Sequence, residues 1–269
     1  MTVADVPLRV LPIGMYAGRS RVMVERTFLV YRNAWLLFVS GFFEPFFYLL
    51  ALGVGLGRLT GGIPGPGGET LSYTAFVAPA LLAASAMNGA VYDTTFNLFY
   101  KFKYLKLYDA MLATPLGPVD IAIGEITWAL LRGGLYAGGF QVVMLIMGLV
   151  TSPWSLLIVP AALLVAFGFA AIGMAATTFM RTWADIDLVQ LVVLPMFLFS
   201  TTFFPLTVYP PALGFAVQCL PLYHGIEIMR ALSAGAPDAS ILGHLTYFVL
   251  MATGGLILAA RRLNRLLLR

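Results

Sequence analysis

Charge is the first thing this sequence is short of. Only 10% of its 269 residues are Asp, Glu, Lys or Arg, against roughly 25% in soluble domains, which excludes an ordinary water-facing globule. Cysteine is nearly absent, and the single Cys219 excludes a disulfide within the chain. Histidine is as sparse. His224 and His244 are too few and too far apart for a metal centre. His224 and Glu227 share helical spacing, but two ligands do not make a structural zinc site. Walker A and nucleophile–base–acid patterns are both missing. "LGVGLGR" (52–58) brings its third glycine one place early for a dinucleotide loop, puts Arg58 where that loop needs glycine, and has no βαβ unit around it. The chain therefore offers no catalytic residues, no metal ligands and no cofactor site of its own.

What is there is apolar. Hydrophobic residues make up 60% of the chain. Helical spans need about 20 apolar residues to cross a hydrocarbon core of ~30 Å, and lipid leaves backbone amides no other partner. Six segments qualify: 34–57, 73–98, 119–150, 154–180, 186–205 and 240–261. The fold class expected is all-α integral membrane, one domain over 1–269. Residues 1–33 hold Arg9, Arg19, Arg21, Arg26 and Arg32 with no apolar core, so they are not read as a signal peptide.

The basic residues set the orientation. Besides the five arginines above, Lys101, Lys103 and Lys106 follow the second span, Arg181 follows the fourth, and Arg261, Arg262, Arg265 and Arg269 end the chain. The remaining loops hold only Arg58 and Arg230. Both termini are expected in the cytoplasm of a multi-pass protein of the inner or plasma membrane, with the basic groups meeting anionic lipid. Nucleic acid is excluded as a partner, because no basic patch lies on a folded soluble surface.

Three connecting regions stand out. "AGRSRVMVERTFLVYRNAW" (17–35) mixes apolar and arginine positions, as an amphipathic helix lying at the interface would. "YKFKYLKLYDAMLATP" (100–115) spaces Phe102, Leu105, Tyr108 and Leu112 by three or four residues, with Lys103, Lys106 and Asp109 on other faces. It predicts a short amphipathic helix stopped by Pro115, able to dock in a groove of a cytoplasmic partner. Tyr108 and Leu112 would fill that groove. "PLTVYPPALGFAVQCLPLYHGIEIMRALSAG" (205–235) is apolar but cut by Pro205, Pro210, Pro211 and Pro221. It predicts two short re-entrant or extracytoplasmic helices before the last span.

Ionisable residues at or near membrane depth complete the set: Glu44, Asp93, Asp120, Glu125 and Arg132. Such groups face the bundle interior and pair, since a central charge costs at least ~2.5–3.5 kcal/mol on insertion scales. Pro118 suits a first helical turn and Asp120 the positive helix N-terminus. The stretch from 112 to 134 then reads as an elbow, wet at its start and buried at its end. Glu44, Asp93 and Glu125 also fit a different class, a proton-coupled secondary transporter or channel, although the inverted repeats of such proteins are not evident.

Four stretches resemble the permease subunits of ABC type-2 exporters, in the daunorubicin-resistance and nodulation-factor export branch. They are "EPFFYLLALGVGLG" (44–57), "YTAFVAPALLAASAMNGAVYDTTFN" (73–97), "YDAMLATPLGPVDIAIGEITWALLRGG" (108–134) and "FFPLTVYPPALGFAVQCLPLYHGIEIMR" (203–230). The third matches the family pattern A-T-P-L-x-P-x-D-I-x-x-G-E from Ala113 to Glu125. Asp93 departs from the glutamate common in relatives. The resemblance implies a six-helix, non-catalytic permease that pairs with a second copy or a homologue. It implies two separate ATPase subunits, which would bind the ATP and Mg. The 100–114 helix would be the coupling helix, with Lys103, Lys106, Tyr108, Asp109, Met111 and Leu112 as its contacts. The short outer helices carrying His224, Glu227 and Arg230 would line or cap the exit. The cargo implied is an amphipathic or lipid-like molecule, whether drug, lipid or lipo-oligosaccharide.

Overall fold

The computed structural model describes residues 19–32, 43, 45–57, 59–64, 70–114, 116–150 and 152–267. Helix α1 (Arg19–Arg32) precedes the short apolar helix α2 (Pro45–Leu56), whose second half, Leu49–Leu56, is π-helical. A two-residue antiparallel pair, Ile63–Pro64 with Thr70–Leu71, leads into α3 (Tyr73–Tyr92). A π-turn (Asp93–Asn97) joins α3 to α4 (Leu98–Lys103), and a tight turn leads on to α5 (Leu107–Leu112). Then come α6 (Pro118–Ile146), α7 (Ile158–Thr177), α8 (Asp185–Phe199), α9 (Pro211–Gln218), α10 (Pro221–Ala234) and α11 (Ser240–Leu267).

Among the described residues four helical stretches are long and apolar enough to cross a membrane: Tyr73–Lys103, Val119–Ile146, Pro153–Thr177 and Ser240–Leu263. They coincide with the second, third, fourth and sixth predicted spans. The first predicted span falls partly on 33–42, outside the described residues. The fifth, predicted over 186–205, is shorter than expected. Helix α8 has 15 residues, about 22 Å at 1.5 Å per residue, and stops at Phe199. Thr201 then adopts a positive φ of 63°, which no helix continues through, so the polar run Ser200–Thr202 turns back into the bundle and is buried there.

Helix α7 is the axis. It packs on α3, α6 and α11 through a stripe of small residues. A Cβ on Gly255 of α11 would sit 2.8 Å from the Ala171 backbone, and one on Gly168 would sit 2.8 Å from the Phe248 ring. Small residues let backbones approach where lipid supplies no hydrophobic drive between helices. Gly173 allows the π-turn to pack, since a Cβ there would fall 2.3 Å from Thr94 Oγ1. Thr177 Oγ1 donates to the Thr94 carbonyl at 2.6 Å, one of the groups that a π-turn takes out of the regular helical ladder.

Helix α1 lies against α6. Met23 and Thr27 face inward, while Val22, Phe28 and Leu29 are exposed beside Arg21 and Arg26. The predicted helix over 100–114 is divided. Lys106, with φ 46° and ψ 33°, breaks it into α4 and α5, because a left-handed residue cannot sit inside an α-helix. The basic ends of α4 and α11 gather with the end of α7 at one end of the bundle. There Arg262 of α11 donates to the Thr178 carbonyl at 3.2 Å and lies over the Phe179 ring. The short helices α9 and α10 occupy the opposite end.

Candidate functional site

Two tiers of ion pairs tie α6 to the α3–α4 helix. The first begins where α6 begins. Asp120 folds back to accept the Gly117 N–H at 3.0 Å, meeting a donor that the helix start leaves unpaired. One turn further, Glu125 accepts Lys101 Nζ at 2.6 Å and the Tyr108 hydroxyl at 3.0 Å. One carboxylate thus joins three helices: α4, α5 and α6. Burial, and then the neighbouring Glu125 carboxylate, hold the Tyr108 phenol well above its ordinary pKa. Tyr108 therefore remains a donor across the physiological range.

The second tier lies seven residues deeper, about 10 Å along α6. Arg132 Nη1 meets Asp93 Oδ1 at 2.8 Å, and Arg132 Nε donates to the Tyr136 hydroxyl at 2.9 Å. Asn97, one helical turn beyond Asp93, donates to the same Oδ1 at 2.6 Å. The other oxygen, Oδ2, is buried and has no partner among the described residues. A cavity of about 510 Å³ opens here between α1, α2, α3, α6 and α8. Arg132, Asn97, Asn88, Gln190 and Ser85 line it together with Tyr31, Tyr48, Tyr92 and Tyr136. The volume is that of a ligand pocket, and the lining mixes rings with a few placed polar groups. Such a site can hold a molecule with a polar, hydrogen-bonding part.

The structure places the remaining predicted residues as follows. Lys103, Lys106 and Asp109 are exposed on the elbow, together with Tyr104 and Leu105. Tyr108 is turned the other way. It is 2% exposed, its ring lies 6.3 Å from that of Phe102, and its hydroxyl is taken by Glu125. Met111 is buried too and Leu112 is half-buried. This corrects the expectation that Tyr108 and Leu112 fill a partner's groove: Tyr108 is buried within this chain, and Leu112 packs against its core. Glu44 lies outside the described residues.

At the opposite end, His224 and His244 meet across α10 and α11, Nδ1 to Nδ1 at 2.7 Å, with the Tyr247 ring stacked on His224 at 4.1 Å. No group of three His, Cys, Asp or Glu side chains that could hold a metal occurs among the described residues. Glu227 is 3.2 Å from Arg230 on the same helix. Arg230 reaches further. It donates to the Thr201 carbonyl at 2.5 Å and lies 3.8 Å over the Phe76 ring. Asn97 and Tyr136 were absent from the residues singled out in the sequence, and Lys101 entered only as an orientation signal. Asn97 was within reach of spacing alone, four residues after Asp93. Lys101 is 24 residues from Glu125, and no local pattern joins them.

Comparison with known proteins agrees with this architecture. The family described as "ABC-2 type transporter" matches residues 19–234. "Nodulation protein J" of Rhizobium leguminosarum bv. viciae is 30% identical over 247 residues, covering 91% of this chain and 93% of the relative. The protein of the same name from R. leguminosarum bv. trifolii is 31% identical over 247 residues, with 91% and 92% covered. That from Rhizobium meliloti (strain 1021) is 28% identical over 246 residues, again with 91% and 92% covered.

Proposed function

The chain belongs to the ABC-2 type transporter family, and on that premise we propose how it works as the membrane subunit of an ATP-driven exporter. It is a multi-pass membrane protein. We read residues 1–269 as one permease unit with six spans, the two beyond the four long helices being 34–57 and α8. Both termini and the elbow face the cytoplasm, following the basic residues. The cargo is amphipathic or lipid-like. Its polar part would sit against Arg132, Asn97 and the tyrosines of the cavity. The resemblance to nodulation-factor export permeases supports an export substrate of this kind. A second permease, either a copy or a homologue, and membrane lipids complete the surroundings.

ATP and Mg belong to two separate ATPase chains. The observation that carries this reading is the elbow. Exposed Lys103, Tyr104, Leu105, Lys106 and Asp109 sit directly behind the buried Lys101–Glu125–Tyr108 junction. A push on the exposed turn therefore reaches α6 through charge-assisted bonds, which are about twice as strong as neutral ones. From Glu125 to Arg132 the route is one continuous helix, ending at the cavity. The proton-relay alternative gains no support, because Asp93 and Glu125 each face a cation.

The test is direct. Purify the chain from its native membrane, identify what comes with it, and assay ATP hydrolysis with and without amphiphiles. Two ATPase chains per complex and stimulated hydrolysis are expected. A complex with no ATPase, or one with transport driven by a proton gradient alone, would overturn the reading.

A further inference from the structure

Between α7 and α8 lies Trp183, a large aromatic side chain that neither ion-pair tier uses. Its ring meets three others. Phe96 lies edge-on at 5.1 Å, Tyr104 edge-on at 5.5 Å and Phe99 tilted at 6.0 Å. Edge-to-face contacts at these distances are the favoured geometry of aromatic pairs. Phe96 belongs to the π-turn and stacks at 4.9 Å on Tyr92, which lines the cavity. Tyr104 is the exposed residue at the elbow's break and stacks on Tyr100. A continuous run of rings therefore connects the elbow's outer turn, through Trp183, to the cavity wall.

Trp183 is fixed to α8. Asp185 accepts the backbone N–H groups of Arg181 at 2.6 Å and Thr182 at 2.9 Å, which closes the turn holding the indole. Just inside, Ile186 and Met180 form a small buried cluster with Phe99, separate from the main core. Beyond this anchorage α8 has open space on two sides. Gln190, Val193, Leu194 and Phe197 wall the polar cavity. An apolar groove of about 1030 Å³ runs along the other side, and Val193 borders both. The helix is thus held at its first turn by the aromatic cluster and at its end by Phe197 against Phe203 and Tyr48. Along its middle it borders the polar cavity on one side and the apolar groove on the other.

We propose that Trp183 is a positioning residue for transport, carrying displacement of the elbow turn from Tyr104 to the first turn of α8 and so to the cavity wall. This is a second route, parallel to the Glu125 junction, and it acts on a different helix. The π-turn under Phe96 supplies the yielding element, since π-turns are strained insertions in a helix and recur at functional sites. The inference rests on the exporter reading above.

The experiment uses the whole permease–ATPase complex in lipid nanodiscs. Gln190→Cys is placed on the cavity side of α8 in a Cys219→Ser background, and its reaction rate with a water-soluble maleimide is measured with and without ATP. At least a fivefold ATP-dependent change is expected. Trp183→Phe should keep that change, while Trp183→Leu should abolish it. ATP hydrolysis should persist in the leucine variant while export falls at least tenfold. Tyr104→Leu, at an exposed position, should act in the same way and covers the case in which Trp183→Leu fails to assemble. An unchanged ATP response in both leucine variants would overturn the proposal, as would a wild-type response that is absent although ATP is hydrolysed. Failure of the exporter reading registers differently, as a complex that hydrolyses no ATP at all.

Discussion

Arg230 is buried and Arg132 half-buried in an apolar bundle, and the two arginines are held differently. Arg230, near the α9–α10 end, is bound chiefly by the fold's own backbone, with the Glu227 carboxylate and the Thr201 hydroxyl further off at 3.2 Å. It donates to the carbonyls of Thr201 at 2.5 Å and Phe76 at 3.4 Å and lies on the Phe76 ring. Arg132, nearer the charged end, is bound by side chains, Asp93 and Tyr136, and it lines the cavity. Backbone acceptors cannot be exchanged without refolding. A carboxylate and a phenol can be exchanged for groups on a cargo. On the proposal above, the same residue type is a rivet at one end and a cargo contact at the other.

The largest effect expected from breaking this comparison is at Arg230. Arg230→Ala strands the Thr201 carbonyl, costing about 1–3 kcal/mol when left unmet, and removes the partner of Glu227. The protein should be scarce in membranes and should aggregate early in a heat ramp followed by size exclusion. Arg230→Lys keeps the charge but lacks the planar fork, so it should fall between the alanine variant and the wild type.

Next comes Arg132. Arg132→Gln leaves the Asp93 carboxylate buried and unpaired, so it should destabilise as well, because breaking one side of a buried pair typically costs about 3–5 kcal/mol. The double change Asp93→Asn with Arg132→Gln removes both charges. It should recover most of the thermal stability and none of the export. Recovery of export along with stability would make Arg132 a second rivet and erase the contrast.

A smaller effect is expected at the junction above. Tyr108→Phe removes one donor to Glu125, a hydrogen bond to a charged group worth about 1.5–3 kcal/mol. The complex should still form and hydrolyse ATP, but with less stimulation by cargo. Lys103→Ala, exposed at the rim, should do less again.

The smallest effect concerns acid. The backbone N–H groups of Thr182 and Arg181 hold the Asp185 carboxyl below the usual carboxylate range. A depressed folded pKa means that its contribution is present above the unfolded value, near 3.9, and is lost as pH falls through the folded one. Asp185→Asn should therefore flatten the acid limb of a melting-temperature profile below about pH 4 and leave neutral pH nearly unchanged.

How legible the molecule was in its sequence depended on distance along the chain. The four long helices were readable because each holds a stretch of 18 residues that is strongly apolar with at most two charged residues. The elbow over 108–134 was readable because Pro118, Asp120 and the family pattern lie within a few residues of one another. The fifth span is overextended in the sequence reading because Phe203 and Phe204 resume the apolar run after the short polar stretch Ser200–Thr202, and the positive φ at Thr201 bars the helix from continuing. Tyr108 was assigned to the wrong side. A three-to-four spacing marks an apolar face but not whether that face meets a partner or the chain's own core. The pairings Asp93–Arg132, Lys101–Glu125 and His224–His244 join residues 39, 24 and 20 positions apart, and no local pattern encodes them.

The account turns on the elbow being the seat of a separate ATPase. Leu105→Cys, exposed at the elbow's break, in a Cys219→Ser background should be labelled with a short photo-crosslinker in sealed native membranes and the product identified. The prediction is a covalent adduct to an ATPase chain carrying a Walker motif, lost when the ATPase is omitted and blocked to membrane-impermeant thiol reagents added outside. Free labelling from outside, or an adduct with no ATPase in it while export proceeds, would contradict the account.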